Sequence, residues 1–474
     1  MIHVRPIRTA WRFALLLAGM LLLTVGSRAE EAVVPLPPAV TADALPLTID
    51  QAIALALGKN PQLQQAANRV ASAALTAAQR RADFAPDLGI AVAATERFDK
   101  ALDQSSGDFD GRNYETASGS LSSRLNLFNG FGDMAALRSA EWNLAGLRDS
   151  FTREEQDLVF ATVSAFLQVL SDRDLIGVRA ENLEGNRRQL EQVEALYRAG
   201  NRPVSDLYQQ QAATSGAEFD LLIAQRNYAV AKLQLLQTIG LSPTAAIELQ
   251  SPALDELEAA LVAAPRGSVD VAALSRRPDL LASQKQIEAA REDVAAARAG
   301  YWPSLDLTAS LDGSYTSLAR NDSFSGQFFD DQLGGAIGLT LAVPIFDRQQ
   351  TRNQVAQARI RQQDARWSLL QRQLQAEAEF GQAIEDFRTA QQLIGVAISQ
   401  LTAARQALAA VEERYRVGAA TLVELTQSRA LFAAASHERV RAGYALITQG
   451  VAIAYYQGDW ARLHALLALW ENRQ

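Results

Sequence analysis

The chain has 474 residues, 48% of them hydrophobic, with 28 glycines and 14 prolines, which is ample for a large packed core. Its 45 basic and 53 acidic residues give a formal net charge of −8, and that balance argues against nucleic acid, whose phosphates need a basic face. Cysteine is absent, which excludes disulfides, thiolate metal sites, cysteine nucleophiles and a lipid-anchored N-terminal cysteine.

Arg5, Arg8 and Arg12 precede an apolar run, Phe13–Val25, and Ser27-Arg28-Ala29 then offers small residues at −3 and −1. The run is shorter than the roughly 20 residues a membrane-spanning helix needs, so residues 1–29 read as a secretory signal peptide cleaved after Ala29. Its loss removes four arginines and no acid, leaving 41 basic against 53 acidic residues and a net charge of −12. No later stretch has 18 uncharged apolar residues, so any membrane role must come from strands. Residues 30–47 are rich in Pro, Ala and Val and read as an extended segment.

A first repeat is expected over 48–241. Thr48 is a suitable N-cap for an amphipathic helix that is interrupted at Asn60-Pro61 and reaches about Arg81. Pro86 ends it, and the period switches to two: a β-hairpin spans 86–128, with Phe98–Tyr114 read as a polar loop. A long helix follows over 131–199, then a turn, then a return helix over 206–240. Residues 242–270 form a mixed inter-repeat segment. The second repeat, 271–460, has a helix, a β-hairpin over 303–346, a long helix over 347–417 and a return helix over 421–456. Residues 461–474 are a C-terminal tail with helical character.

The second long helix organises the chain. Phe380, Phe387, Ile394, Leu401, Leu408 and Tyr415 fall seven apart, each of the first five followed three residues on by Ala383, Ala390, Ala397, Ala404 or Val411. A strict heptad seam imposes a left-handed supercoil. Moving back 218 positions gives Val169, Ile176, Leu183, Leu190 and Tyr197 at the same spacing. Tyr197-Arg198-Ala199-Gly200 answers Tyr415-Arg416-Val417-Gly418 at that offset, and Gly240 answers Gly458. One offset shared by seam, turns and flanks is an internal duplication.

Each copy supplies two strands. Leu305, Leu307, Ala309, Leu311 and Tyr315 alternate with Ser304, Asp306, Thr308, Ser310, Asp312 and Ser314; Ile337, Leu339, Leu341, Val343 and Ile345 do the same. Strands of about ten residues, apolar on one face and with aromatics at their ends, suit a bilayer-spanning barrel. A soluble sandwich edge also alternates, but two hairpins make no sandwich core. Four strands cannot close a barrel, and lipid forbids an open edge, so chains must complete it together. Two chains give 8 strands and a filled interior, whereas three give 12 and a water-filled lumen.

The mature sequence resembles the TolC-like family of outer-membrane efflux and secretion channels. The resemblance is carried by the duplication, by RRPDLLASQKQIEAAREDVAAARAGYWPSLDL (276–307) and GLTLAVPIFDR (338–348), and by the tip motifs YRAGNRPVSDL (197–207) and YRVGAATLVEL (415–425). It implies a mainly α fold with a membrane β portion: a homotrimer whose 12-stranded barrel continues into an α-helical periplasmic tunnel. It also implies a periplasmic adaptor (membrane fusion) protein and an inner-membrane transporter as partners, outer-membrane lipid around the barrel, no cofactor and no enzymatic activity. By motif position the gate or latch residues are Tyr415, Asp206 and Glu424, and the adaptor-contact tips are Arg198, Gly200, Arg416 and Gly418. Two positions depart from the pattern. The latch arginine two residues after the glycine is Ala420, and the second constriction acid is Gln427, which leaves open either a weaker latch or a different one using Arg202.

Two other readings stay open at this stage: a structural coiled-coil or adhesin stalk, which leaves the amphipathic hairpins unexplained, and a stand-alone porin, which would need no adaptor.

Overall fold

A computed structural model describes residues 45–102, 109–250, 258–259, 261–262, 274–319 and 323–458. The expected signal peptide, most of the 30–47 segment, most of 251–273 and the 461–474 tail lie outside the described residues. In chain order the elements are β1 (Leu45–Leu47), α1 (Ile49–Lys59), α2 (Pro61–Ala82), β2 (Gly89–Leu102), β3 (Phe109–Phe128), α3 (Gly132–Arg198), α4 (Val204–Thr238) and β4 (Ile247–Leu249). Then come α5 (Pro278–Ala299), β5 (Ser304–Thr316), β6 (Gly334–Ala342), α6 (Gln350–Arg416) and α7 (Leu422–Gln457). The fold class is as the sequence implies: long helices in duplicate, each copy with a hairpin.

One compact unit holds Ala74–Trp142 and Glu288–Gln363. Its sheet is antiparallel in the order β2-β3-β5-β6, so the two hairpins lie side by side and β2 and β6 are left as edges. Leu121 pairs with Leu311 and Leu125 with Leu307, while Leu307 pairs with Leu339, so the apolar residues of three strands share one face. Along β6 that face is uncovered: Ile337 is 84% exposed and Leu341 63%. The opposite face carries polar contacts such as Asn126 Nδ2 to Asp306 Oδ1 at 3.2 Å.

The loop expected over Phe98–Tyr114 is corrected. β2 continues to Leu102 and β3 begins at Phe109, with Leu102 paired to Phe109. Ladder hydrogen bonds come from the backbone, so polar side chains there do not end the pairing. Ile345, expected on a strand face, lies beyond β6, which ends at Ala342; Pro344 has no N–H to give the ladder.

Both strand-to-helix corners use the same device. Gly130 and Phe131 have φ of 67° and 64°, and 218 residues later Arg348 and Gln349 have φ of 55° and 65°. In each corner an Asx side chain caps the new helix. Asn129 Oδ1 accepts from the Asp133 N–H at 3.3 Å, and Asp347 Oδ2 accepts from the Thr351 N–H at 2.8 Å. Left-handed conformations at three non-glycine residues are strained. The duplication has kept them at equivalent positions.

The other unit runs up to Ala73, over Asn143–Ile287, and on from Asp364. Its core gathers Phe166, Leu167 and Leu170 of α3, Leu235 and Leu236 of α4, Phe380, Phe387 and Ile394 of α6, and Leu446 and Ile447 of α7. The heptad seam is therefore buried where it meets α7 and α3. A two-stranded parallel sheet, β1 with β4, pairs Leu47 with Leu249 and closes one side of this core; sequence reading missed it. Thr48 caps α1 in a capping box with Gln51, as expected.

The two helix starts after the Asn60-Pro61 and Arg277-Pro278 breaks are also equivalent. Asn60 Nδ2 donates to the Thr238 carbonyl at 2.9 Å, and Arg277 Nη1 to the Tyr456 carbonyl at 3.4 Å. Only the second is charged. The buried Arg277 pairs with Asp279 at 2.8 Å and Glu379 at 3.1 Å. One 18-residue window of α6 has mean hydropathy 1.2, enough by composition to cross a membrane. The helix containing it is 67 residues long, about 100 Å at 1.5 Å per residue, over three times the thickness of a bilayer core.

Candidate functional site at the helix-hairpin tips

Each long helix reverses into its return helix through the same turn. The Gly200 N–H reaches the Tyr197 carbonyl at 2.9 Å and the Asn201 N–H the Leu196 carbonyl at 2.9 Å. Gly418 N–H to Tyr415 O at 3.1 Å and Ala419 N–H to Arg414 O at 2.7 Å repeat the pattern. These are paired Schellman motifs, and both glycines are left-handed, with φ of 74° and 75°. Open space surrounds both, so backbone conformation alone calls for glycine.

The return helices begin differently. Pro203 precedes α4 and offers no side-chain cap. Thr421 caps α7 in a capping box with Glu424. Glu424 also meets Arg414 at 3.1 Å, and Arg414 donates to the Ala419 carbonyl at 3.0 Å. Hydrogen bonds from Thr421, backbone first and hydroxyl second, and then the Arg414 charge hold the Glu424 carboxyl below its ordinary value. Within one chain Glu424 is thus a well-anchored anion at the mouth of α7, where the helix dipole also favours it.

Arg202 stands 218 positions before Ala420, at the equivalent place in the first tip. Its guanidinium sits 4.9 Å from the Tyr415 ring centroid and 3.5 Å from the Asp206 carboxylate. Tyr415 and Asp206 are therefore brought together, but through Arg202, and the buried Tyr415 hydroxyl faces the side chain of Gln189. Burial pushes the Tyr415 hydroxyl above its ordinary pKa, against the pull of the Arg202 charge, and the Asp206 charge adds to the rise.

Two further side chains tie the helices near the tips together and were not singled out from sequence. Gln210 Nε2 donates to the Asn186 carbonyl at 3.1 Å, which links α4 to α3. Arg429 of α7 reaches the Gly185 carbonyl of α3 at 2.7 Å and Glu412 of α6 at 2.8 Å, joining the two copies. Its offset counterpart is Gln211, so the duplication gave no signal for it. Arg198 pairs with Glu194 and Arg416 with Glu413 on exposed surface, which leaves the outermost turns facing solvent. Among the described residues no group of three metal-ligating side chains comes together.

Two helical hairpins in duplicate and a four-stranded sheet with one exposed apolar face are the elements of an outer-membrane channel protein. A model of the family described as outer membrane efflux protein matches residues 52–241 and again 271–458, so the chain belongs to that family. The chain is similar to the outer membrane protein TolC of Escherichia coli, 25% identical over 401 residues that cover 81% of this chain and 77% of TolC. It is also similar to the pyoverdine export outer membrane protein OpmQ of Pseudomonas aeruginosa, 25% identical over 81% of this chain and 80% of that protein. Among solved structures, the outer membrane protein VceC of Vibrio cholerae superposes with a TM-score of 0.72 at 22% identity, covering 86% of this chain and 96% of VceC. The chain is therefore an outer-membrane channel component of an efflux or secretion system that works with partner proteins, extends into the periplasm and is not an enzyme.

Proposed function

We propose that three copies of this chain form a passive exit duct: a 12-stranded barrel in the outer membrane, continued by a helical tunnel that a periplasmic adaptor and an inner-membrane transporter engage at its tips. The open sheet carries this reading. β2 and β6 are edges of a sheet with an exposed apolar face, and in lipid each must pair with a strand of another chain. Three four-stranded sheets close with a lumen wide enough for cargo, which two do not. The helices add support. On α4, Tyr208, Phe219, Leu222, Val230 and Leu233 form an apolar stripe exposed in one chain, as a subunit contact would leave it.

At the periplasmic end, Tyr415 and Asp206 hold the closed tips through Arg202, and Glu424 contributes one carboxylate per chain to a ring at the entrance. Three such charges about 8 Å apart repel by about 2 kcal/mol per pair at an effective dielectric near 20. The Arg414 pair and the Thr421 cap offset that repulsion locally. Arg198, Gly200, Arg416 and Gly418, on the outermost turns, form the adaptor-contact surface.

The test is mass and conductance together. Detergent-solubilised mature protein is expected to run as a trimer by light scattering and to open discrete channels in planar bilayers. A water-soluble monomer without conductance would overturn the proposal.

A further inference from the structure

We propose that Phe324–Asp331, between β5 and β6, is a lipid-contacting flap, folded onto the outside of the sheet and seated in the outer leaflet at the boundary between acyl chains and headgroups. The inference rests on the barrel reading above and assigns this loop a partner, the lipid surface.

The flap is one helical turn, Phe324–Gly326, continued by a π turn, Gln327–Asp331. Phe324 stacks on Phe328 at 5.2 Å, Phe328 meets Phe329 edge-on at 5.0 Å, and Tyr315 of β5 lies 5.2 Å from Phe324. Gln327 is buried and its Oε1 accepts from the Thr316 N–H at 3.0 Å, pinning the flap to the end of β5.

Two glycines decide which face it covers. Gly119 of β3 and Gly313 of β5 are paired in register. A Cβ at Gly119 would lie 2.6 Å from Phe328 Cζ, and one at Gly313 would lie 2.7 Å from the Phe328 carbonyl oxygen. Phe328 thus fills a slot left by two absent side chains. Side chains alternate along a strand, so Gly313 shares its face with Leu311 and Leu307, and Gly119 with Leu121 and Leu125. That is the apolar face, the one a barrel turns to lipid. Leu333 and Phe329 extend it, both exposed.

The height fits as well. Gly313 is eight residues from Leu305 along β5, about 20 Å up the membrane normal at roughly 3.3 Å per residue and a tilt of about 40°, near the top of an apolar band about 25 Å tall. At the lower edge Phe131, Tyr301, Trp302 and Phe346 are exposed beside the helices. The flap supplies the matching aromatic girdle at the upper edge, and it does so across the seam where the two repeats meet.

Because the chain has no cysteine, Phe329→Cys carries a nitroxide label as the only thiol. In vesicles of dioleoyl phosphatidylcholine and phosphatidylglycerol (3:1), power saturation is expected to show oxygen accessibility above that of a water-soluble nickel chelate, at a shallower depth than Ile337→Cys. Leu333→Cys gives a second reading on the same face, and Thr308→Cys marks the lumen side. Nickel-dominated relaxation at 329 and 333, with Ile337→Cys still in lipid, would overturn the flap alone. The same result at 337 would remove the barrel reading and the flap with it. Adding Gly313→Val is expected to abolish the oxygen preference at 329; an unchanged signal would reject the glycine slot.

Discussion

The guanidinium of Arg202, in the turn of the first helix hairpin, lies 4.9 Å from the ring centroid of Tyr415, near the end of the second. It also meets Asp206 one turn further along its own chain at 3.5 Å. A residue of one repeat thereby meets one residue of its own tip and one of the other tip. A cation over an aromatic face is worth about 0.5–1 kcal/mol at exposed sites, and a surface ion pair about 0.2–1 kcal/mol.

If these contacts hold the tips closed, as proposed above, Arg202→Ala should loosen them by about 1 kcal/mol per chain, a roughly fivefold shift toward open. Single-channel conductance in planar bilayers should rise. Tyr415→Phe should do much less, because it keeps the ring that faces Arg202. Equal effects from the two variants would show that the hydroxyl, and not the guanidinium, holds the tips.

Much of this arrangement was legible in the sequence because the duplication prints it twice at one offset. The heptad seam, the left-handed tip glycines and the place of Arg202, where the second copy has Ala420, all follow from aligning the chain with itself. What stayed hidden depends on pairing between distant segments. Leu45–Leu47 and Ile247–Leu249 are too short to announce strands, and they form a sheet only because the chain brings them together. Likewise, which of the many arginines would meet Gly185 was decided by how α7 packs on α3, and Arg429 has no counterpart in the first copy to signal it.

Arg277 should be the costliest charge to remove. It is 1% exposed and pairs with both Asp279 and Glu379, so Arg277→Ala strands two carboxylates, at a cost of about 3–5 kcal/mol. Thermal melts followed by circular dichroism should show a large fall in melting temperature. The pair also carries a pH signature. Burial alone would raise the Asp279 carboxyl, but the hydrogen bond and charge of Arg277 outweigh it and hold it below its ordinary value. A depressed carboxylate stabilises the fold above its unfolded pKa of about 3.9, and that contribution is lost as pH falls through the lower folded value. The stability gap between wild type and Asp279→Asn should therefore be constant from about pH 7 to pH 5 and close below about pH 4. A gap that widened on acidification would contradict the pairing.

The same substitution should act with opposite signs at two kinds of glycine. Gly418 is left-handed in open space, so Gly418→Ala should destabilise by about 1–2 kcal/mol through backbone strain alone. Gly395 lies within α6 and also has open space beside it, so Gly395→Ala should stabilise by about 0.5–1 kcal/mol. Denaturation of the two variants in parallel checks both signs. A loss at Gly395 would mean that a neighbouring chain packs against that glycine.

The stripe on α4 tests assembly separately from folding. Leu222 is 59% exposed in one chain, between Phe219 and Val230 on the same face, and a water-facing helix has no reason to line up such residues. If a neighbouring chain covers the stripe, Leu222→Glu buries an unpaired carboxylate at the contact, a cost that one interface cannot absorb without rearranging. Light scattering should then show the trimer giving way to monomer, with channel activity lost and helix content kept. Gln225→Glu, exposed on the same helix but off the stripe, places its charge outside the proposed contact and should leave the trimer intact. A trimer that survives Leu222→Glu with unchanged conductance would place the subunit contact on another face of the tunnel wall.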